Sequence, residues 1–526
     1  MKRWLLLPLL LIATLPVLAA PPGTDAKFKK GDIVLAENFD GAQAAQAWTL
    51  SEATRLQTIA GAAGKVLEVE RTSPEKPSAM VKLDLPAASL QGCQIIVEAR
   101  VKAENVSAPP KPWNGIKVML HAKSPSGDIW PQGNLPQGSF DWRPLRYRVL
   151  VPTEASEASL LLGLEEVTGK AWFDDVKVSV VKLPRLRPQT PPTGPRYTGH
   201  TVPRLRGAMI STTISERDLR DFASWKANHV RWQLTWNGFP SSPADNADLP
   251  RYEEWLEGAL KHLDSLLPLC RELGISVLID LHTPPGGRNP ANECRIFHEK
   301  AFQTAFVALW ENMARRYKGE KAVWGYDLVN EPVEGEPSDD ILDWHDLALE
   351  TAKRVRAIDP DHAIIVEAAP WGSAEALANF EPLPLSGIVY SFHMYEPHLF
   401  THQNVYTKVT PLAYPGEIGG KQWDKEQLRR VMQPVADWQR DYNVSIYVGE
   451  FSAIRWAPGD SAANYLRDCI DIFEENGWDW AYHAFREWPG WSVEHIGDKD
   501  HTQLAPGPTT RQKLLQTWFA KNQKAP

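Results

Sequence analysis

The stretch VWGYDLVNEP (323–332) reads as a buried strand with an unsuitable end. Its apolar and aromatic body suits a parallel strand covered on both faces. It then stops at Asn330, Glu331 and Pro332 instead of a plain turn. Proline has no N–H for a sheet ladder and biases the residue before it toward an extended backbone. The strand is therefore expected to end at Asn330, with Glu331 already in the loop, so that both side chains share one site.

Seven comparable runs surround it: LRGAMI (205–210), HVRWQLTW (229–236), ISVLIDLH (275–282), AIIVEAA (363–369), IVYSFHMY (388–395), SIYVGEFS (445–452) and WAYHAFREW (480–488). Between them lie segments such as RYEEWLEGALKHLDSLLPLCREL (251–273) and ILDWHDLALETAKRVRAI (341–358). These repeat apolar residues at three and four, the helical period. Eight strands alternating with helices over 204–524 predict an α/β fold, a closed (β/α)8 TIM barrel. An open doubly wound sheet usually carries a glycine-rich turn after its first strand, and Ser211, Thr212 and Thr213 are not one.

The preceding residues have a different texture. Over 28–182, short alternating runs such as KVLEVE (65–70), QIIVEARVKA (94–103) and AWFDDVKVSVV (171–181) predict an antiparallel, jelly-roll-like β-sandwich. A proline-rich linker (183–203) joins it to the barrel. Residues 1–20 have a secretory-signal layout: Lys2 and Arg3, an apolar run, then Ala19 and Ala20. The protein is thus expected to be secreted or periplasmic, and its removal of two cations takes the formal charge from -8 to -10. An acidic chain without a basic tract argues against nucleic acid as a partner. No later run reaches the ~18 apolar residues of a membrane span. A monomer acting on a polysaccharide or oligosaccharide is expected. Cys270 ends a helix and Cys294 follows the next strand, which rises ~20 Å. A disulfide needs Cα atoms within ~7 Å, so these two are expected to be unpaired.

A barrel carries its chemistry where the strands' C-terminal ends meet. The polar and aromatic residues there are Arg231, His282, Asn330, Glu331, His393, Tyr395, Glu450 and Trp488. His393 and Tyr395 are two apart and point to one side of their strand. Glu331 and Glu450, from the fourth and seventh strands, face each other over the opening. Carboxylates ~5 Å apart push their pKa values in opposite directions, leaving one group protonated near neutrality. Such a pair suits glycoside hydrolysis, in which one group protonates the leaving oxygen while the other attacks or activates water. Arg231 can hold the second group ionised. The 22 tryptophans offer flat apolar faces for sugar rings. One rival is a zinc hydrolase using His282 and His393, but the first strand lacks a His-x-His pair, so no metal is expected in the barrel. Another is a carbohydrate-binding protein that has lost catalysis.

HVRWQLTW, DLH, LVNEP, HMY, VGEF and the Trp of FREWPGW, in this order over roughly 200–520, resemble glycoside hydrolase family 5. The resemblance implies net retention, with Glu331 as acid/base and Glu450 as nucleophile. It implies that Asn330 binds the hydroxyl beside the reacting carbon, and that Tyr395 and Arg231 hold Glu450. His282 and His393 would bind hydroxyls, and Trp488 would form a sugar platform. Relatives often have a cis peptide after the strand-eight Trp, which predicts a cis Trp488–Pro489 bond. AENFDG (36–41) and AWFDDV (171–176) resemble the first and last strands of jelly-roll carbohydrate-binding modules. By that resemblance Glu37, Asp40 and Asp175 are candidates for a structural calcium, the one cofactor considered. Trp113, Trp130 and Trp142 are candidates for a sugar groove. The loop 398–423 is expected to wall one end of the barrel cleft.

Overall fold

The computed structural model describes residues 28–524 except 42–43, 76–77, 126, 186–187, 237–246 and 407. The candidate export signal lies outside the described residues. The chain divides into two compact units, Met1–Leu186 and Arg187–Pro526.

The first unit is a β-sandwich. Its strands are β1 (Ile33–Glu37), β2 (Thr54–Thr58), β3 (Lys65–Arg71), β4 (Ser78–Leu85), β5 (Gln94–Val106), β6 (Gly115–Lys123), β7 (Gly138–Leu150), β8 (Glu157–Glu165) and β9 (Gly169–Lys182). One sheet runs β2-β3-β9-β5-β7 with β1 on β9; the other runs β4-β8-β6. Alternation decides the buried face. Val118, Leu120 and Ala122 of β6 enter the core beside Leu160, Leu162 and Leu164 of β8.

The second unit is a closed parallel barrel. Its strands begin with β10 (Arg206–Ile210), β11 (His229–Gln233), β12 (Ser276–Asp280), β13 (Val323–Asp327), β14 (Ala363–Glu367) and β15 (Ile388–Met394). A hairpin of β16 (Gly416–Ile418) and β17 (Lys421–Trp423) interrupts the long loop after β15. Then β18 (Ser445–Phe451) and β19 (Asp479–Tyr482) complete the circle, with β19 pairing back to β10. The helices cover the outside and carry ordinary end signals. For Leu249–Leu273, Asp248 accepts from the Arg251 N–H at the start, and Gly274 closes the end at φ +71°.

The strands have two cores. Ile446 and Val448 of β18 pack in the layer shared with the helices, whereas Tyr447 joins Leu278, Ile365 and Val389 inside the barrel. Strict alternation would therefore send Glu450 outward. A bulge prevents this: Phe392 pairs with Val448, but the next residue, His393, pairs with Glu450, skipping Gly449.

Four expectations need correction. The fourth strand ends at Asp327, because Leu328 and Asn330 donate their N–H groups to Ile365 and Leu281 in a looser path toward the opening. Glu331 is not extended; its φ is +46°. The eighth strand ends at Tyr482, so Trp488 lies in the following loop, and the cis bond is His483–Ala484 rather than Trp488–Pro489. All four cysteines are free and buried, consistent with unpaired Cys270 and Cys294. Among the described residues, no helix is long and apolar enough to cross a membrane.

Candidate active site

Arg231 is the centre of the site. It projects from β11 with no solvent exposure and four carboxylates around it. Its Nε donates to Asp327 at 3.0 Å, and its Nη1 donates to Glu450 at 2.6 Å. Its Nη2 meets Glu367 at 2.8 Å, Asp280 at 3.1 Å and the Asn330 side-chain oxygen at 3.1 Å. A buried guanidinium needs such compensation, since losing its hydration is costly. Burial and the neighbouring carboxylates push the Asp327 carboxyl well above its usual range, despite the opposing pull of Arg231.

Glu450 has a second set of contacts. Tyr395 donates to its Oε2 at 2.8 Å, His483 Nδ1 lies 3.2 Å from the same oxygen, and His393 Nδ1 lies 3.8 Å away. Burial alone would favour the protonated acid. The charges of His393, His483 and Arg231 overcome it and hold Glu450 well below the usual carboxylate range. His393 is likewise driven well upward against its burial by Glu367, Glu450 and Glu331. Gly449 makes this corner fit: a Cβ there would sit 2.8 Å from Ser391 Oγ and 3.0 Å from His393 Nε2.

Glu331 is held differently. Its backbone N–H donates to Glu367 at 2.8 Å, and the Arg288 guanidinium donates to the carbonyls of Asn330 and Glu331 at 3.2 and 2.7 Å. These anchors stabilise a left-handed backbone that a glutamate otherwise avoids. They supersede the extended bias expected from Pro332. Arg288 in turn covers the ring of Trp371 at 5.1 Å. The Glu331 carboxylate accepts from His393 Nδ1 at 2.9 Å. Side-chain oxygens of Glu331 and Glu450 lie within 4.8 Å of each other.

The predicted residues separate into groups. Arg231, Asn330, Glu331, His393, Tyr395 and Glu450 come together as one network. His282 stands beside it, its Nδ1 2.9 Å from Asp280. Trp488 is further out, edge-on to Trp491 at 5.5 Å, and Trp491 is 5.5 Å from His483. The strand-mouth place expected for Trp488 belongs to His483, because β19 is short. Sequence reasoning missed Asp280, Asp327, Glu367, His483, Glu487 and Arg288. A signal existed for the first three: VLID, WGYD and IIVE each end an apolar strand in an acid.

In the sandwich, the three calcium candidates do not converge. Glu37 accepts from the N–H groups of Phe39 and Ala45, Asp40 accepts from Lys65 N–H, and Asp175 pairs with Arg100. Among the described residues they form no three-ligand cluster. Asp175 adopts φ +49° and faces out, while the buried Asp174 is lifted to about 6, chiefly by burial. Trp113 and Trp130 are more than half exposed, and Trp130 stacks on His121 at 3.8 Å. Trp142 is partly buried under Arg100.

Comparison with known proteins gives a consistent result. The family model for Cellulase (glycosyl hydrolase family 5) matches residues 197–487. Endoglucanase C of Acetivibrio thermocellus is 28% identical over 292 residues, covering 51% of this chain and 82% of that protein. Cellodextrinase A of Ruminococcus flavefaciens is 24% identical over 273 residues, covering 51% and 77%. Among solved structures, a glycoside hydrolase is 24% identical, with TM-score 0.49 and coverage of 60% and 99%. Thermotoga maritima Cel5A with cellobiose is 22% identical, with TM-score 0.45 and coverage of 60% and 96%. With the family match extending over more than half of its length, the chain belongs to glycoside hydrolase family 5 and is a retaining glycoside hydrolase.

Proposed function

We propose that the barrel cleaves a β-glucan of the cellulose type, with Glu331 as acid/base and Glu450 as nucleophile. One observation carries the assignment: carboxyl oxygens of the two residues lie within 4.8 Å. That matches the ~5 Å spacing of direct nucleophilic attack and is too short to hold both a sugar and the attacking water that inversion needs. Glu331 protonates the glycosidic oxygen as Glu450 attacks the anomeric carbon, forming a glycosyl ester. Glu331 then takes a proton from water, which attacks the same carbon and releases Glu450. Arg231 and Tyr395 keep Glu450 ionised and oriented. Asn330 gives its oxygen to Arg231, leaving its amide N–H groups for the hydroxyl beside the reacting carbon. His282 binds a further hydroxyl through its Nε2, whereas His393, expected to do the same, has both nitrogens on Glu331 and Glu367 and orients the acid/base instead. Trp371 on the Glu331 side and Trp488 beyond His483 expose rings for flanking sugars.

The glucan assignment draws on the endoglucanase and cellodextrinase relatives. A panel of β-glucan, mannan, xylan and aryl β-cellobioside tests it, with products sized by chromatography. Highest kcat/KM on β-glucan or cellobioside is expected; highest activity on mannan or xylan overturns it. We read residues 1–20 as an export signal, from Lys2, Arg3 and the apolar run, and the N-terminal unit as a glycan-binding sandwich. Exposed Trp113 and Trp130 support the latter. Trp130→Ala in the full chain should then weaken retention on insoluble glucan without changing turnover of a soluble aryl glycoside.

A further inference from the structure

The loop after β19 adds a pair of side chains that the reaction as described does not use. His483 turns Nδ1 toward Glu450 Oε2 at 3.2 Å and also hydrogen-bonds the Tyr395 hydroxyl. Its Nε2 lies 3.0 Å from Glu487 Oε2. Two proton arrangements fit these contacts, and the carboxylates at both ring nitrogens favour the charged one. Nε2 faces a carboxylate and must carry hydrogen. Tyr395 has one proton: given to Nδ1 it would leave the ring neutral and deprive Glu450 of a donor, whereas given to Glu450 at 2.8 Å it keeps the carboxylate paired. The atoms left facing Nδ1, the Tyr395 oxygen and the Glu450 carboxylate, are then acceptors, so Nδ1 also carries hydrogen. A ring with both nitrogens protonated is an imidazolium.

We propose that His483 is a positioning residue for the nucleophile, a fixed cation on Glu450 Oε2 whose charge is maintained by Glu487. This assignment rests on the proposed role of Glu450. Arg231 holds one oxygen of that carboxylate and His483 faces the other, so the nucleophile is clamped from two sides. The clamp lowers the basicity of Glu450 and makes it a better leaving group when water releases the sugar. Burial works against the imidazolium, yet Glu450 and Glu487 together raise it to about 10. Glu487 is reciprocally lowered, its burial outweighed mainly by His483. His393 is also cationic and pulls Glu450 down, but among the described residues no cation other than His483 comes within hydrogen-bonding distance of Oε2. His402, buried beside another histidine, is held down near 3 and stays neutral. His393 reaches Glu450 only at 3.8 Å and is engaged with Glu331 and Glu367. His282 is turned to Asp280.

Two measurements on the full chain test the proposal. The first needs no turnover: 15N-histidine NMR, with His483 assigned by its loss in His483→Gln. The His483 ring should stay doubly protonated through pH 8, and in Glu487→Gln its titration should fall by about one pH unit or more. A neutral ring at pH 8 in the parent protein, or an unchanged titration in Glu487→Gln, overturns the proposal. The second is the pH dependence of kcat/KM on dinitrophenyl β-cellobioside. His483→Gln should move the acidic limb upward by about one pH unit or more, with Glu487→Gln moving it less in the same direction and Glu487→Asp restoring it. Lower rates with an unmoved limb would mean a packing role and would also overturn it. Absence of turnover by the parent protein would instead count against the β-glucan reading, leaving the NMR result to decide the proposal independently.

Discussion

The two glutamates are built into opposite kinds of corner. Glu450 belongs to a strand, is re-aimed by a bulge, and is gripped by Arg231, Tyr395 and His483, with 5% of its side chain exposed. Glu331 stands four residues beyond its strand, is anchored through its backbone, and keeps 24% of its side chain exposed. The difference fits the work proposed for each. A nucleophile needs a fixed charge and one line of attack. An acid/base must pass a proton to a departing sugar and then take one from water, so it needs access.

The largest expected effect separates the two directly. Glu450→Ala should lower hydrolysis by roughly 10⁴-fold or more on every glycoside, because no covalent intermediate can form. Glu331→Ala should cost roughly 10²- to 10⁴-fold on an unactivated glucan, but far less in the first step with a dinitrophenyl leaving group, which needs no proton. Added azide sharpens the contrast. It should give a glycosyl azide of retained configuration with Glu331→Ala and of inverted configuration with Glu450→Ala, resolved by NMR. The reverse pattern would exchange the two roles.

A smaller effect probes the bulge. Gly449→Ala places a methyl group against Ser391 and His393, and should cost about 1–3 kcal/mol of stability together with a tenfold-scale (~10) loss in kcat. Thermal unfolding and steady-state rates check both. Arg288→Ala leaves the strand network intact and frees the Asn330 and Glu331 carbonyls. A loss of only a few-fold (~5) in kcat is expected, confined to substrates that need protonation of the leaving group. The smallest test is pH. Since His393, His483 and Arg231 depress Glu450, the acidic limb of kcat/KM should fall below 4.5, its ordinary value. The sign for stability is the same. A lowered carboxylate contributes stability above its unfolded pKa, and that contribution disappears as pH falls through the folded value.

Much of this was legible in the chain. The eight barrel strands announce themselves as apolar runs of the right length, and Glu331 and Glu450 stand out as acids where such runs stop. Strand ends were less legible. AYHAF continues the apolar texture of β19 beyond Tyr482, so the length of that strand was overread and Trp488 took the place that belongs to His483. The backbone of Glu331 was hidden because its cause, Arg288 and Glu367, lies elsewhere in sequence. The bulge at Gly449 was hidden too, since it exists only as a slip in register against β15. Asp280, Asp327 and Glu367 were written at three strand ends, but their common purpose appears only when Arg231 is placed among them.

That placement has a consequence for how the barrel assembles. Arg231 comes from the second barrel strand, and its counter-charges come from the third, fourth, fifth and seventh. A barrel that tried to close around β10 to β13 alone would face the guanidinium without Glu367 or Glu450. One that stopped after β15 would still lack Glu450. The residue proposed to hold the nucleophile therefore penalises incomplete closure, and ties folding of the early strands to arrival of the late ones.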